Sequence, residues 1–185
     1  ESGLWCLDPL DGTSNFAAGI PFFSVSVALL GPRGVELGVV YDPSRDECFR
    51  ARRGGGARLG DTLLRPASFG LPLERTIAAV DFKRLSADLA VRLAEAPPYA
   101  SQRSFGSVAL DWCWVAAGRF HVYLHGRQKL WDYAAGSLIL AEAGGRALTL
   151  EGEAVPVAGI TPRSAVAALD PELFRAWCDW LGLRA

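Results

Sequence analysis

Apolar residues fall into short runs punctuated by Gly, Pro and Ser over the first third of the chain. Phe22 to Leu30, Val35 to Tyr41 and Glu47 to Arg52 read as three strands joined by turns at Gly31-Pro32 and Pro43-Ser44. That pattern predicts an antiparallel meander. Ahead of it, the apolar run Leu4 to Leu7 predicts a buried strand stopped by Pro9. Further along, the period changes. Thr76 to Val80 reads as a short strand, and Ser86 to Ala94 as a helix ended by Pro97-Pro98. Val108, Leu110, Trp112, Val115 and Ala116 recur at helical spacing within Gly106 to Ala117. A second such series, Ala134, Leu138, Leu140 and Ala141, ends at Gly144-Gly145. Phe120 to Leu124 and Ala165 to Leu169 are strands, and Asp170 caps a last helix that has Pro171 at its first position. The run Gly54-Gly55-Gly56 opens no helix and reads as a turn, not a phosphate loop.

No linker, composition shift or repeat divides the chain. Residues 1–185 read as one domain, with a meander-rich subregion 1–75 and an alternating subregion 76–185. The net charge of −1 gives no electrostatic reason to expect nucleic acid or a membrane as partner. No apolar run is long enough to span a bilayer. Cys6, Cys48, Cys113 and Cys178 form no C-x-x-C pair or zinc spacing and sit among apolar neighbours, as reduced thiols would. A cytoplasmic location is the expectation. Trp112, Trp114, Trp177 and Trp180 are assigned to core or interface.

The chemistry concentrates in Trp5-Cys6-Leu7-Asp8-Pro9-Leu10-Asp11-Gly12-Thr13-Ser14-Asn15-Phe16. Asp8 and Asp11 lie on a turn where both can face one hard cation, with the Leu10 carbonyl as a further oxygen ligand. Gly12 permits close approach of a ligand, and Thr13 is a candidate N-cap. Amides at a helix start would hold an anion beside that cation. The same residues also suit a plain surface turn. Asp132, in Trp131-Asp132-Tyr133-Ala134-Ala135-Gly136, lies at or just inside a helix start, where a capping role alone would account for it.

Taken together, D-P-L-D-G-T and W-D-Y-A-A-G resemble the two signature segments of the inositol monophosphatase family. Arg103 to Leu110 and Gly38 to Pro43, with the Arg53 to Ala57 loop, are similar to the segments around them. The resemblance implies a mixed α/β fold, an α+β layered sandwich of alternating helices and sheets, and a Mg2+-dependent phosphomonoesterase that works without a covalent intermediate. It implies that Asp8, the Leu10 carbonyl, Asp11 and Asp132 bind metal, with Asp11 and Thr13 as catalytic residues. The amides of Gly12 and Thr13 would hold the phosphate, and the Thr13 hydroxyl would orient the attacking water. Gly106, Val108, His125 and Asp132 would line the substrate site. A homodimer is also implied.

The chain departs from the family pattern in three places. Family members carry N-terminal helices and a Glu-Glu pair ahead of D-P-x-D, whereas only seven residues precede Asp8 and no methionine is present. The expectation is therefore an N-terminally incomplete domain with a bare sheet face, and no role is assigned to Glu1. Secondly, His125 stands where the family has an inositol-binding glutamate. A histidine donates, accepts or carries charge, so the position predicts a shift toward a substrate with a second anionic group. A rim position without substrate contact is the alternative. Thirdly, His121 replaces an aspartate and reads as structural. The candidate substrates are an inositol or sugar phosphate first, then fructose bisphosphate, a nucleotide 3′-phosphate or NADP. The competing reading is a non-catalytic scaffold that keeps the fold for an interaction role.

Overall fold

A computed structural model describes residues 3–155 and 159–184; Glu1 lies outside them. The first sheet is a six-stranded antiparallel meander in sequence order. Its strands are β1 (Leu4–Asp11), β2 (Ser24–Gly31), β3 (Gly34–Asp42), β4 (Glu47–Arg52), β5 (Ala57–Leu59) and β6 (Thr62–Leu64). A single turn of helix, α1 (Thr13–Ala17), follows β1. The second sheet takes β7 (Ile77–Asp81), β8 (Ser101–Arg103), β9 (Val122–Gln128), β10 (Arg146–Leu148) and β11 (Arg163–Ala168) in the order β10-β11-β9-β7-β8. Only β7 pairs in parallel, with β8 and β9 on either side.

The four described helices of eight or more residues form two layers. α3 (Val108–Ala116) and α4 (Leu130–Glu142) are sandwiched between the sheets. α2 (Ala87–Glu95) and α5 (Pro171–Leu181) cover the far face of the second sheet. The buried residues divide accordingly. Val40 and Phe49, Trp112 and Tyr133, and Tyr123 and Ala167 fill the inner core. Val80, Leu124, Phe174 and Trp177 fill the outer one. Two close approaches let α4 occupy its slot. A Cβ on Gly38 would come within 2.8 Å of the Ala135 carbonyl oxygen, and one on Gly136 within 2.4 Å of the Trp112 Cβ. Gly136→Ala is therefore expected to lower stability by about 1–3 kcal/mol through overpacking, visible as a lower thermal midpoint; an unchanged midpoint would mean that the two helices can move apart freely.

The predicted elements reappear with boundary shifts of a few residues, apart from β1. Ser86 caps α2, accepting from the Leu89 amide, and Asp170 caps α5. The Gly54–Gly56 segment is a turn, and its Gly54 and Gly56 amides donate to the Glu142 carboxylate at 2.7 and 2.8 Å. The turn thus grips a carboxylate of its own chain. Trp112 and Trp177 are fully buried, while the half-buried Trp114 meets Phe22 edge to face and the half-buried Trp180 stacks on Trp177. His121 is structural, accepting from the Ile77 amide through Nδ1 and packing edge-on to Phe69.

β1 corrects two expectations. It is not buried: Leu4, Trp5 and Leu7 are 64, 61 and 56% exposed. It is an edge strand, and its outward face has no covering layer among the described residues. Nor does Pro9 end it. Pairing with β2 runs from Leu4 opposite Leu30 to Asp8 opposite Ser26, slips, and resumes at Asp11 opposite Ser24. Proline lacks a ladder donor, which an edge strand or a bulge tolerates.

Candidate active site

That slip sets the geometry of the site. In a regular strand, residues three apart point to opposite faces. One extra residue between Asp8 and Asp11 reverses the parity, so both carboxylates turn to the same side. The Asp8 carboxylate also accepts the Leu10 amide at 3.1 Å, which fixes the bulge locally. Gly12 then turns the chain with φ +84°, and a Cβ there would meet the Phe22 carbonyl oxygen at 3.0 Å. Gly12, not Thr13, is the cap residue of α1. Thr13 is the first helical residue, and its hydroxyl donates to the Leu10 carbonyl at 3.0 Å.

Asp132 arrives from the opposite direction, in the first turn of α4. It is not the cap, which is Lys129; it sits three residues on and accepts the Lys129 amide at 2.8 Å. One oxygen each from Asp8, Asp11 and Asp132 lie within 4.8 Å of one another. Ligand oxygens of one octahedral Mg2+ are at most about 4.2 Å apart, so a small side-chain rotation closes the set on an ion. The donors are all hard oxygens, with no Cys or His among them to favour a softer metal.

The electrostatics point the same way. Burial, reinforced by repulsion from Asp132 and Asp8, pushes the Asp11 carboxyl up to about 6 despite two hydrogen bonds that hold it down. Those bonds come from Ser107 Oγ at 2.5 Å and the Ala109 amide at 2.9 Å. Burial also raises Asp132, and Asp8 adds to the effect. The nearby Cys6 thiol is raised by burial, then by Asp8 and Asp132. Crowded, partly desolvated carboxylates like these are relieved by a cation.

Beside the carboxylates opens a cavity of about 390 Å3, and Gly106, Val108, His125 and Asp132 all line it. Gly106 takes φ +81° against Asn15, whose side-chain amide ties α1 to the carbonyls of Phe22 and Phe105. His125 is buried in the cavity wall, and both of its ring nitrogens are engaged. Nδ1 accepts the Arg127 amide at 3.1 Å, which leaves Nε2–H to face Asp81 at 3.3 Å. Asp81 and His125 are direct neighbours across the parallel β7–β9 pair. The Asp81 carboxyl is held below its ordinary value by His125 and Lys83, which outweigh its partial burial.

The sequence reading missed several contributors. Ser107 and the Ala109 amide anchor Asp11; Asp81 anchors His125; and Lys83, Arg84, Arg127 and Lys129 line the same cavity. Asp81 ends a strand in the parallel part of the sheet, and clefts at such carboxyl ends commonly bind ligands. That signal was present but needed the strand pairing to be read.

A model of the inositol monophosphatase family matches residues 1–178. The chain is 45% identical over 146 residues to the Nus factor SuhB of Haemophilus influenzae, covering 76% of this chain and 54% of that protein. It is 39% identical over 153 residues to the inositol-1-monophosphatase of Mesorhizobium japonicum, covering 80% and 57%. The chain thus spans about half the length of the curated relatives it matches. Among solved structures, inositol monophosphatase II from Staphylococcus aureus superposes with a TM-score of 0.87 at 28% identity, over 98% of this chain and 68% of that one. The extragenic suppressor protein suhB of Bartonella henselae gives 0.80 at 36% identity, over 95% and 72%. The layered α+β fold is that of these proteins.

Proposed function

The chain belongs to the inositol monophosphatase family, and on that premise we propose that it serves a Mg2+-dependent phosphomonoesterase. Family membership supports phosphatase activity in general. The observation that carries the specific reading is the convergence of Asp8, Asp11 and Asp132 on one point beside a cavity. These carboxylates, with the Leu10 carbonyl, would hold the metal. When bound, Mg2+ would acidify a water, neutralise phosphoryl oxygens and stabilise the leaving alkoxide.

The residues around it have separable tasks. Thr13 gives its hydroxyl proton to the Leu10 carbonyl, so its lone pairs remain to accept from a water and turn that water toward phosphorus. The Gly12 and Thr13 amides, at the head of α1, would take the phosphate. Ser107 and the Ala109 amide hold Asp11 in one rotamer, which matters because catalysis of this kind is mostly positioning and electrostatics. The candidate substrates are small inositol or sugar phosphates. Four free thiols among the described residues suit a reducing, cytoplasmic setting. No described helix is long and apolar enough to cross a membrane. The exposed apolar residues of β1 offer a surface for the homodimer that the family resemblance implies.

A second reading, a scaffold with an interaction role, is favoured by one observation: several relatives are named Nus factors. The expectation of no nucleic-acid partner, drawn from net charge alone, has no support in such a set of relatives. Phosphate release from a panel of phosphomonoesters, with Mg2+ titrated in and a chelated blank, separates the two. Saturable, Mg2+-dependent turnover is the expected result. A folded, metal-loaded protein that releases no phosphate from any of them would favour the scaffold.

A further inference from the structure

The lining of the cavity beside the carboxylate cluster is mixed in charge. It holds Asp132, a candidate metal ligand, and a wall of four cations, Lys83, Arg84, Arg127 and Lys129, of which Lys129 caps the helix turn that carries Asp132. Asp81 is the one other carboxylate in the lining, and it is already engaged. It faces His125 Nε2 at 3.3 Å and accepts the Lys83 amide at 3.1 Å, with the Lys83 ammonium at 3.9 Å. Among the described residues, Arg84, Arg127 and Lys129 have no carboxylate within 4.0 Å. The wall therefore carries more positive charge than its own acids balance.

The wall is also a built one. Asp81 and His125 face each other across β7 and β9, and the turn Phe82–Arg84 that bears two of the cations follows Asp81 directly. Gly126 is so close to that turn that a Cβ on it would fall 1.8 Å from the Arg84 carbonyl oxygen. His125 itself has no ring nitrogen left for a ligand. Its part is to hold Asp81, and through Asp81 the cationic turn.

A neutral polyol would set hydroxyl groups against this wall and leave Arg84 and Arg127 without an anion, and Lys129 with only the Trp131 ring that it lies over. A second anion would satisfy them with charge-assisted hydrogen bonds. We propose that the cavity selects phosphomonoesters carrying a second anionic group, a phosphate or a carboxylate, received by Lys83, Arg84, Arg127 and Lys129. This deepens the phosphomonoesterase reading and rests on it for the word substrate, but the cation wall can be tested apart from turnover.

The test uses phosphonates, whose C–P bond is not hydrolysed. With Mg2+ present, calorimetry compares propylphosphonate, 3-phosphonopropanoate and propane-1,3-diyl bisphosphonate on the native protein and on Arg84→Ala/Arg127→Ala. The doubly anionic probes should bind native protein at least about tenfold more tightly than propylphosphonate, with a steeper loss at high salt. The double variant should lose most of that margin. Preference for the bisphosphonate alone would assign the wall to a second phosphate, and an equal gain for both probes to anions generally. Equal affinity for all three, or a margin that survives in the double variant, would overturn the inference. A clear margin in a protein that hydrolyses no phosphomonoester would keep the cation wall and remove the phosphatase reading.

Discussion

Replacing Asp11 by Asn is expected to stabilise the metal-free protein while sharply lowering the Mg2+-dependent activity proposed for it. Asp11 is 7% exposed and its carboxyl is pushed up to about 6, first by burial and then by Asp132 and Asp8. Its folded value exceeds its unfolded one, so between about pH 4 and pH 6 the folded chain keeps a proton that the unfolded chain has released. Stability present below that window is therefore lost as the pH rises through it. At pH 7.5 the ionised carboxylate then weighs against folding by about 2–3 kcal/mol. Asparagine removes the charge and still offers an oxygen to Ser107 and Ala109. In chelator at pH 7.5 the variant should melt several degrees above the native protein, and near pH 5 the gap should narrow. With Mg2+ the order reverses, because the cation relieves the native cluster and the variant binds it poorly. Turnover should fall roughly 10³-fold, the scale of several kcal/mol of lost metal-assisted stabilisation. Scanning calorimetry at the two pH values, with and without metal, reads all of this. A gap that does not change with pH would mean that the Asp11 carboxyl titrates normally.

Gly126→Ala is expected to impair substrate handling strongly and metal binding little. The added methyl would lie 1.8 Å from the Arg84 carbonyl oxygen and 2.5 Å from its carbonyl carbon. Both are backbone atoms, so no side-chain rotation relieves the clash. The Phe82–Arg84 turn must retreat by roughly 1.5 Å to restore ordinary contact, carrying Lys83 and Arg84 with it. Misplacement on that scale lowers kcat/KM by about 10²-fold, and the overpacking lowers stability by about 1–3 kcal/mol. Asp8, Asp11 and Asp132 lie on β1 and α4; Asp132 shares the cavity with the moved turn, but none of the three has a hydrogen bond or ion pair to it, so Mg2+ affinity should stay close to native. Steady-state kinetics paired with a metal titration separates the effects. A parallel loss of metal affinity would show that the turn supports the carboxylate cluster as well.

The contrast between these two residues shows what the sequence makes legible. Asp11 belongs to a contiguous segment whose turn chemistry and carboxylate spacing can be read in one window, and Asp132 to a second such segment. Gly126 looks like any glycine in a strand. Its importance comes from Arg84, more than forty positions away, brought against it by the register of β7 on β9. The same non-local pairing hid Asp81 and the cation wall. β1 misled for a different reason. An apolar run announces a strand but not which layers cover it, and Pro9 announces a stop only where no bulge absorbs it. The meander and the helices were legible because turn residues and helical periodicity act locally, whereas layer order is set by contacts between distant parts of the chain.

β1 has a further consequence for how the site works in time. Its Asp11 end is pinned to α3 by two hydrogen bonds, but among the described residues the stretch from Leu4 to Asp8 has a neighbouring strand on one side only. Such a stretch opens at a lower free energy than the rest of the sheet, and each opening carries Asp8 away from Asp11 and Asp132. A cation held at the proposed site would act as a clasp, closing a fraying ribbon at its open end. Part of its binding energy goes into ordering the strand, so amide exchange in Leu4–Asp8 should slow on Mg2+ addition while β9 hardly changes. Affinity for a cation at the proposed site would thus be tied to the local melting of a single strand.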